Sequence, residues 1–361
     1  QTQHWEMQDV QSRNTVYTVL YGMRAATEEV LLQSNMQFLP GIKVSNEHTA
    51  APAATIFGIA VHSGDLLVSR GGAEASALIS RGNDYAGNFS HVALIYVNDT
   101  THRAYLIEAH IEKGVAIASI EQYEADKKLR FMVLRPRFNL PAIQKDSMLP
   151  HKAARYAYEE ALKRHIPYDF KMNYTDSSEM FCSEVASYAY QKNNIQLWQT
   201  LSTISSAGVV NWLYSFGVEN FTTQMPSDLE YDPQLTVIAE WRDPQTLIKD
   251  HIDNAVMDVM LSHADSLHAV PYNTWMLPAV RIVKAYCVCL NYFGKTGMIP
   301  EGMSATDALR NQYISAQHQA LKKETEVLKD AFIKDKGYFP PYWQLTKLAE
   351  QAYATLKMQS H

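Results

Sequence analysis

The chain has 361 residues, of which 47% are hydrophobic and 19% charged, enough apolar material to bury a sizeable core and too little charge for a disordered chain. Its net charge of −6 argues against a dedicated nucleic-acid binder, which presents a strongly basic face. Three cysteines, Cys182, Cys287 and Cys289, exclude a framework of several disulfides.

In chain order, residues 5–35 read as a helix, because Val16, Val19, Leu20, Met23, Val30 and Leu31 recur at helical spacing. Pro40 and Gly41 close it, and residues 42–53 read as a linker. From 54 to 136 the pattern changes to short apolar runs punctuated by Gly, Asn, Asp and Thr: TIFGIAV, GDLLVSR, HVALIYV, AYLIEAHI, GVAIASI and RFMVLRP. Residues 98–101 (NDTT) and Lys113-Gly114 read as turns, so these strands form mostly an antiparallel meander. A helix is expected over 146–165, with Asp146 or Ser147 as cap and Pro150 in its first turn. A second begins near Met180 and runs through CSEVASYAYQK, with Asp176 and Glu179 as a capping pair. Beyond 240 the candidates are helices over 243–263, 274–292, 304–334 and 341–357.

No run of about 20 apolar residues is present, so no membrane-spanning helix is expected. The start at Gln, without Met, is what an exported chain looks like after its leader is removed; the expectation is a periplasmic or secreted protein, with a cytoplasmic one as the alternative. Cys287 and Cys289 are expected to be two buried helix thiols. No metal site is expected, since no second Cys/His cluster has matching spacing.

Cys182 would lie in the first turn of its helix, where unpaired N–H groups and the helix dipole favour a thiolate. His91 opens the strand HVALIYV, a position from which an imidazole is held by the sheet yet can face its rim. Glu108 ends the next strand. Counted outward from the 98–101 turn, Glu108 comes near His91 and can orient the imidazole. Each residue alone also has a bland reading: a structural cysteine, a satisfied histidine, a solvated glutamate. Together they suggest a Cys–His–carboxylate site. His110 is a rival for the carboxylate-side role, placed two residues too far to meet His91.

The segments HSGDLLVSR, FSHVALIYV, LIEAHIEKGV, IPYDFKM and EMFCSEVASYAY, in that order, resemble the permuted papain-like amidases of the YaeF/YiiX group, relatives of NlpC-type cell-wall peptidases. In that group the cysteine follows the histidine in the chain, as here. The resemblance spans roughly residues 60–190. It implies an α+β fold with a circularly permuted papain-like core, an antiparallel sheet packed on helices. The N-terminal helix and a C-terminal helical extension lie outside it. The expected divisions are 1–53, 54–240 and 241–361.

Carried over by position, the resemblance makes Cys182 the nucleophile, His91 the base and Glu108 the orienting acid. Tyr168 becomes a cleft residue able to help an oxyanion, and Asp169 and Asp65 match motif positions, with loop capping as their alternative reading. It implies a cysteine hydrolase acting on a peptide, aminoacyl or cell-wall-type amide through a thioester, without a cofactor. One alternative is a lipid-directed acyltransferase or esterase on the same triad, as in the lecithin:retinol acyltransferase group. Another is a non-catalytic binding protein on a papain-like scaffold.

Overall fold

The computed structural model describes residues 5–34, 41–43, 45–264, 270–292, 295 and 297–359. The first helix, α1, is Val10–Gln33. It starts later than the apolar spacing suggests because the Asp9 carboxylate caps it, accepting the Ser12 N–H at 2.8 Å. Val19, Met23 and Val30 face solvent, and the buried face carries Arg13, Val16 and Glu28. The helix docks largely through ion pairs, as Arg24 meets Glu230 at 3.0 Å and Glu240 at 2.6 Å, and Glu28 meets Arg130 at 2.5 Å.

Pro40 lies outside the described residues. Gly41 begins a strand, β1 (Gly41–Lys43), so the expected linker opens with sheet structure. TIFGIAV is two strands rather than one. The hairpin β2 (Ala53–Ile56) and β3 (Ile59–His62) reverses at Phe57-Gly58, both with positive φ (48° and 76°), the conformation of a tight two-residue hairpin turn. The remaining strands are β4 (Leu66–Gly71), β5 (His91–Val97), β6 (Ala104–His110), β7 (Gly114–Ser119) and β8 (Lys128–Pro136), with helices α2 (Glu74–Arg81) and α3 (Ile120–Ala125) between them. Both helices fall where strands and loops alone were expected. Helix α4 is Pro141–Lys145, α5 is Leu149–Lys163 and α6 is Cys182–Gln191.

Short strands β9 (Ser202–Thr203) and β10 (Thr222–Thr223) pair with each other and flank α7 (Ala207–Tyr214). Strand β11 (Leu235–Arg242) precedes α8 (Pro244–Ser262), α9 (Leu277–Tyr292), α10 (Ala305–Lys336) and α11 (Tyr342–Gln359). The expected divisions at 53/54 and 240/241 fall inside β2 and β11.

The main sheet runs β1-β11-β8-β4-β5-β6-β7, antiparallel at every pairing. Alternation sorts its side chains. Val68, Val92, Leu94, Ile107 and Leu134 pack against Ala153 and Ala154 of α5 and Val185 and Ala189 of α6. Leu67, Ala93, Ile95, Leu106 and Val133 face the β2–β3 hairpin and Tyr123 of α3. A separate core joins α8, α10 and α11 to Ala77 of α2 and Trp212 of α7. Helix α8 is tied to the sheet: its Asp250 meets Arg70 at 3.3 Å and Arg130 at 2.5 Å, and all three side chains are fully buried.

Three local expectations need correction. Asp176 does not pair with Glu179 as a cap; its carboxylate accepts the Ser178 N–H at 2.9 Å, and Glu184 accepts the Phe181 N–H at 2.8 Å instead. Helix α5 starts after Met148, with Asp146 accepting the Met148 N–H at 3.2 Å from outside the helix. Cys287 is buried, but Cys289 is exposed on the outer side of α9.

Candidate active site

The site forms where β4, β5 and β6 end. Asn98 fixes the β5–β6 turn, its side-chain oxygen accepting the N–H groups of Thr100 and Thr101 at 3.0 and 2.9 Å. The resulting register sets Glu108 opposite Ala93. The small Ala93 side chain leaves the carboxylate room to lean along the sheet to His91, two residues away on the same face. His91 Nε2 lies 2.7 Å from Glu108 Oε2.

Helix α6 packs on the opposite face of the sheet. Its first residue, Cys182, comes over the strand end, with Sγ 3.9 Å from the carbonyl oxygen of Ser90. There it borders the same hollow as the His91 ring, so thiol, imidazole and carboxylate are gathered at one strand end.

His110 occupies a place the sequence did not suggest. The register that sets Glu108 against Ala93 brings His110 abreast of His91, not past it. The rings stack at 5.5 Å, and His110 Nε2 lies 3.1 Å from Glu108 Oε1. Each oxygen of Glu108 thus has its own histidine. The signal was the period of two along β6, which puts Glu108 and His110 on one face.

The electrostatics follow from these contacts. Burial works against a charged His91, but its hydrogen bonds to Cys182 and Glu108, and their charges, outweigh it and raise the imidazole to about 10. Burial would raise Glu108, yet the two histidines hold it well below the usual carboxylate range. Glu184, one turn into α6, is pushed up to about 9, first by burial and then by Asp169 and Cys182 nearby. It is therefore neutral at pH 7 and adds no negative charge beside the sulfur.

Tyr168 also borders Cys182. Burial and the neighbouring Cys182, Asp169 and Glu184 hold its hydroxyl well above the ordinary tyrosine value, so it remains a donor at neutral pH. Its loop is braced by Gly114, whose φ of +70° and close approach to Ile166 leave no room for a side chain. The Val115 N–H donates to the Ile166 carbonyl at 2.9 Å, and the Met180 N–H to that of Pro167 at 2.9 Å.

Asp169 is buried and caps its own loop, accepting the N–H groups of Lys171 at 2.7 Å and Asn173 at 2.5 Å. Asp65 lies elsewhere. Its carboxylate bonds Arg135, with both contacts at 2.7 Å, and caps its own loop by accepting the His62 N–H at 2.7 Å, four residues before the partner of His91, or about 13 Å. The structure thus gathers Cys182, His91, Glu108 and Tyr168, places Asp169 behind them as a loop brace, and puts Asp65 in a distant ion pair.

Cys182 stands between two hollows of different character. One, on the His91 side, is bordered by Ser69, Ser90, His110, Glu112 and Lys128. The other is a mainly apolar cleft, open to solvent and bordered by Leu78, Phe181, Leu213, Phe216, Met225, Met303 and Ile314. Met303 and Ile314 come from the C-terminal helical region. This cleft had no signal in the local sequence, because its walls are 78 to 314 in the chain. Among the described residues, no group of three or more His, Cys, Asp or Glu side chains is arranged to hold a metal ion.

The strand-borne His91 precedes the helix-borne Cys182 in the chain, the order expected of a permuted papain-like core. Residues 60–239 match the model of the permuted papain-like amidase family YaeF/YiiX, C92, and this part of the chain belongs to that family of amidases and peptidases. The chain is similar to the solved structure of metalloprotein yiiX from Escherichia coli O157:H7, at 19% identity and a TM-score of 0.40, over 50% of this chain and 98% of that one. No curated protein matches it.

Proposed function

We propose that the protein is a cysteine hydrolase that cleaves an amide bond through a thioester on Cys182. The observation that carries this reading is His91 bonded to Glu108 and sharing a hollow with Cys182. The Cys182 sulfur attacks the carbonyl carbon as its proton passes to His91. The imidazolium of His91 gives its proton to the leaving nitrogen as the C–N bond breaks. Water, deprotonated by His91, then attacks the thioester and releases the acid and the thiol. The oxyanion is met by the backbone N–H groups that begin α6, which have no partner within the helix, and by the Tyr168 hydroxyl. Glu108 keeps the imidazole oriented and stabilises its charged form; His110 keeps Glu108 in place.

The test is hydrolysis of aminoacyl amides, peptidoglycan fragments and phospholipids by wild type and Cys182→Ala. Loss of turnover by about 10³-fold or more is expected, in the range seen when a nucleophile is removed. Equal rates in the two proteins would end the assignment.

A second reading, a lipid-directed acyltransferase or esterase on the same three residues, is favoured by the apolar cleft beside Cys182. The phospholipid arm of the same assay separates the two. A non-catalytic scaffold is tested by alkylation: a Cys182 inert to iodoacetamide at neutral pH would support it.

A further inference from the structure

Helix α9 presents an apolar stripe to solvent. Pro278, Ile282, Tyr286 and Cys289 recur on one side at helical spacing and all are exposed. Trp275, in the 3-10 turn that leads into the helix, is 92% exposed, and Ile282 73%. The inner side holds Cys287, whose sulfur accepts the Ile299 N–H at 3.4 Å as the following chain folds back over it. An exposed apolar patch of this kind on a chain with a well-filled core calls for a partner.

The charge around the stripe says which. Residues 266–300 contain no Asp or Glu but carry Arg281, Lys284 and Lys295, in a chain of net charge −6. Arg281 and Lys295 are exposed. Apolar residues with Trp and Tyr, accompanied by exposed cations on the same segment, are complementary to an anionic lipid surface. At 16 residues α9 would span about 24 Å, short of the roughly 30 Å hydrocarbon core. No described helix is long and apolar enough to cross a membrane. A helix of this kind lies in the plane of the interface.

Position supports the same partner. Lys284 Nζ donates to the carbonyls of Pro300 at 2.7 Å and Glu301 at 2.8 Å, clamping α9 to the segment that continues into Met303. Met303 borders the apolar cleft beside Cys182, and Gly302 packs against Phe170 so closely that a side chain there would collide with its ring. The Lys284 contacts and the Gly302 packing tie the helix that carries the stripe to the rim of the cleft.

We propose that α9 and its leading turn dock the protein on an anionic membrane surface. Trp275, Ile282 and Tyr286 enter the headgroup–acyl boundary, and Arg281 and Lys295 meet the headgroups. This holds the Met303 rim of the cleft at the lipid. The proposal does not depend on the thiol chemistry, so Cys182→Ala binds like wild type.

The test is co-sedimentation of the full chain, with a reductant present, on phosphatidylglycerol–phosphatidylcholine vesicles and on pure phosphatidylcholine vesicles. Expected are binding to the anionic vesicles that weakens with salt, and at least a roughly tenfold loss of partitioning in I282N/Y286N, given the transfer free energy of two such side chains. Trp275→Ala, at a fully solvated site where folding is not at stake, gives a smaller loss. Absence of wild-type binding, or binding unchanged in both variants, would overturn the proposal. So would a wild-type dimer in sedimentation velocity that I282N/Y286N dissociates without vesicle binding, which would make the stripe a contact between copies.

Discussion

At the scale of residues, the site is a chain of four side chains in which each fixes the next. His110 holds one oxygen of Glu108, Glu108 holds His91 with the other, and His91 faces Cys182. His91 is raised in the folded protein, so its proton is retained up to about 10 and lost above it. If protonated His91 is the acid that releases the leaving group, kcat/KM falls as pH rises through about 10. Removing the Glu108 charge lowers the imidazole, so Glu108→Gln moves this alkaline limb to lower pH. A pH–rate profile checks both, and an unmoved limb in the variant would detach Glu108 from the reaction.

Among elements, α1 shows how charge can dock a helix whose apolar residues look outward. Glu28 meets Arg130 and, at 2.9 Å, His251. Its loss leaves the buried Arg130 without one of its two carboxylates. Glu28→Ala is expected to cost about 3–5 kcal/mol in chemical denaturation, the range for breaking a buried pair, whereas Val30→Ala, on the exposed side, costs little. A midpoint unchanged by Glu28→Ala would show that α1 docks by other means.

The same comparison marks what the chain's local pattern could convey. The β5–β6 hairpin was legible because a turn and two alternating runs lie within 20 residues, and these bring His91 to Glu108. The long C-terminal helices were legible from the apolar period, as at Leu247, Ile252, Val256 and Val259. Helix α2 was not, because EASALISR is short and follows two glycines that read as loop. Strand β11 was not, because its apolar alternation is broken by a bulge between Val237 and Ala239, and its partners lie a hundred or more residues earlier. The spacing of Val19, Met23 and Val30 announced a helix but not which side it buries, since ion pairs decide that.

For the whole molecule, the C-terminal helices are part of the cleft and not an appendage. Phe216, in the turn after α7, and Ile314 from α10 line the apolar hollow together with Phe181 and Cys182. Substrates that place an apolar group there lose contact when the wall is cut back. Ile314→Ala and Phe216→Ala are expected to lower kcat/KM for a long-chain or bulky acyl substrate by about tenfold or more while barely changing that for an acetyl one. Equal losses for both substrates would indicate a general disturbance of the site and not a binding wall.

Strand β11 has a consequence for how such a chain is made. It lies between β1 and β8, so the edge of β8 that carries Phe131 and Val133 has no neighbour until Leu235–Arg242 emerges from the ribosome. At ordinary elongation rates that is a wait of roughly 5–20 s for about a hundred further residues. During that interval the newborn sheet ends in an open, apolar margin able to join another nascent chain. Soluble yield is therefore expected to depend on how quickly translation crosses the stretch between those two strands.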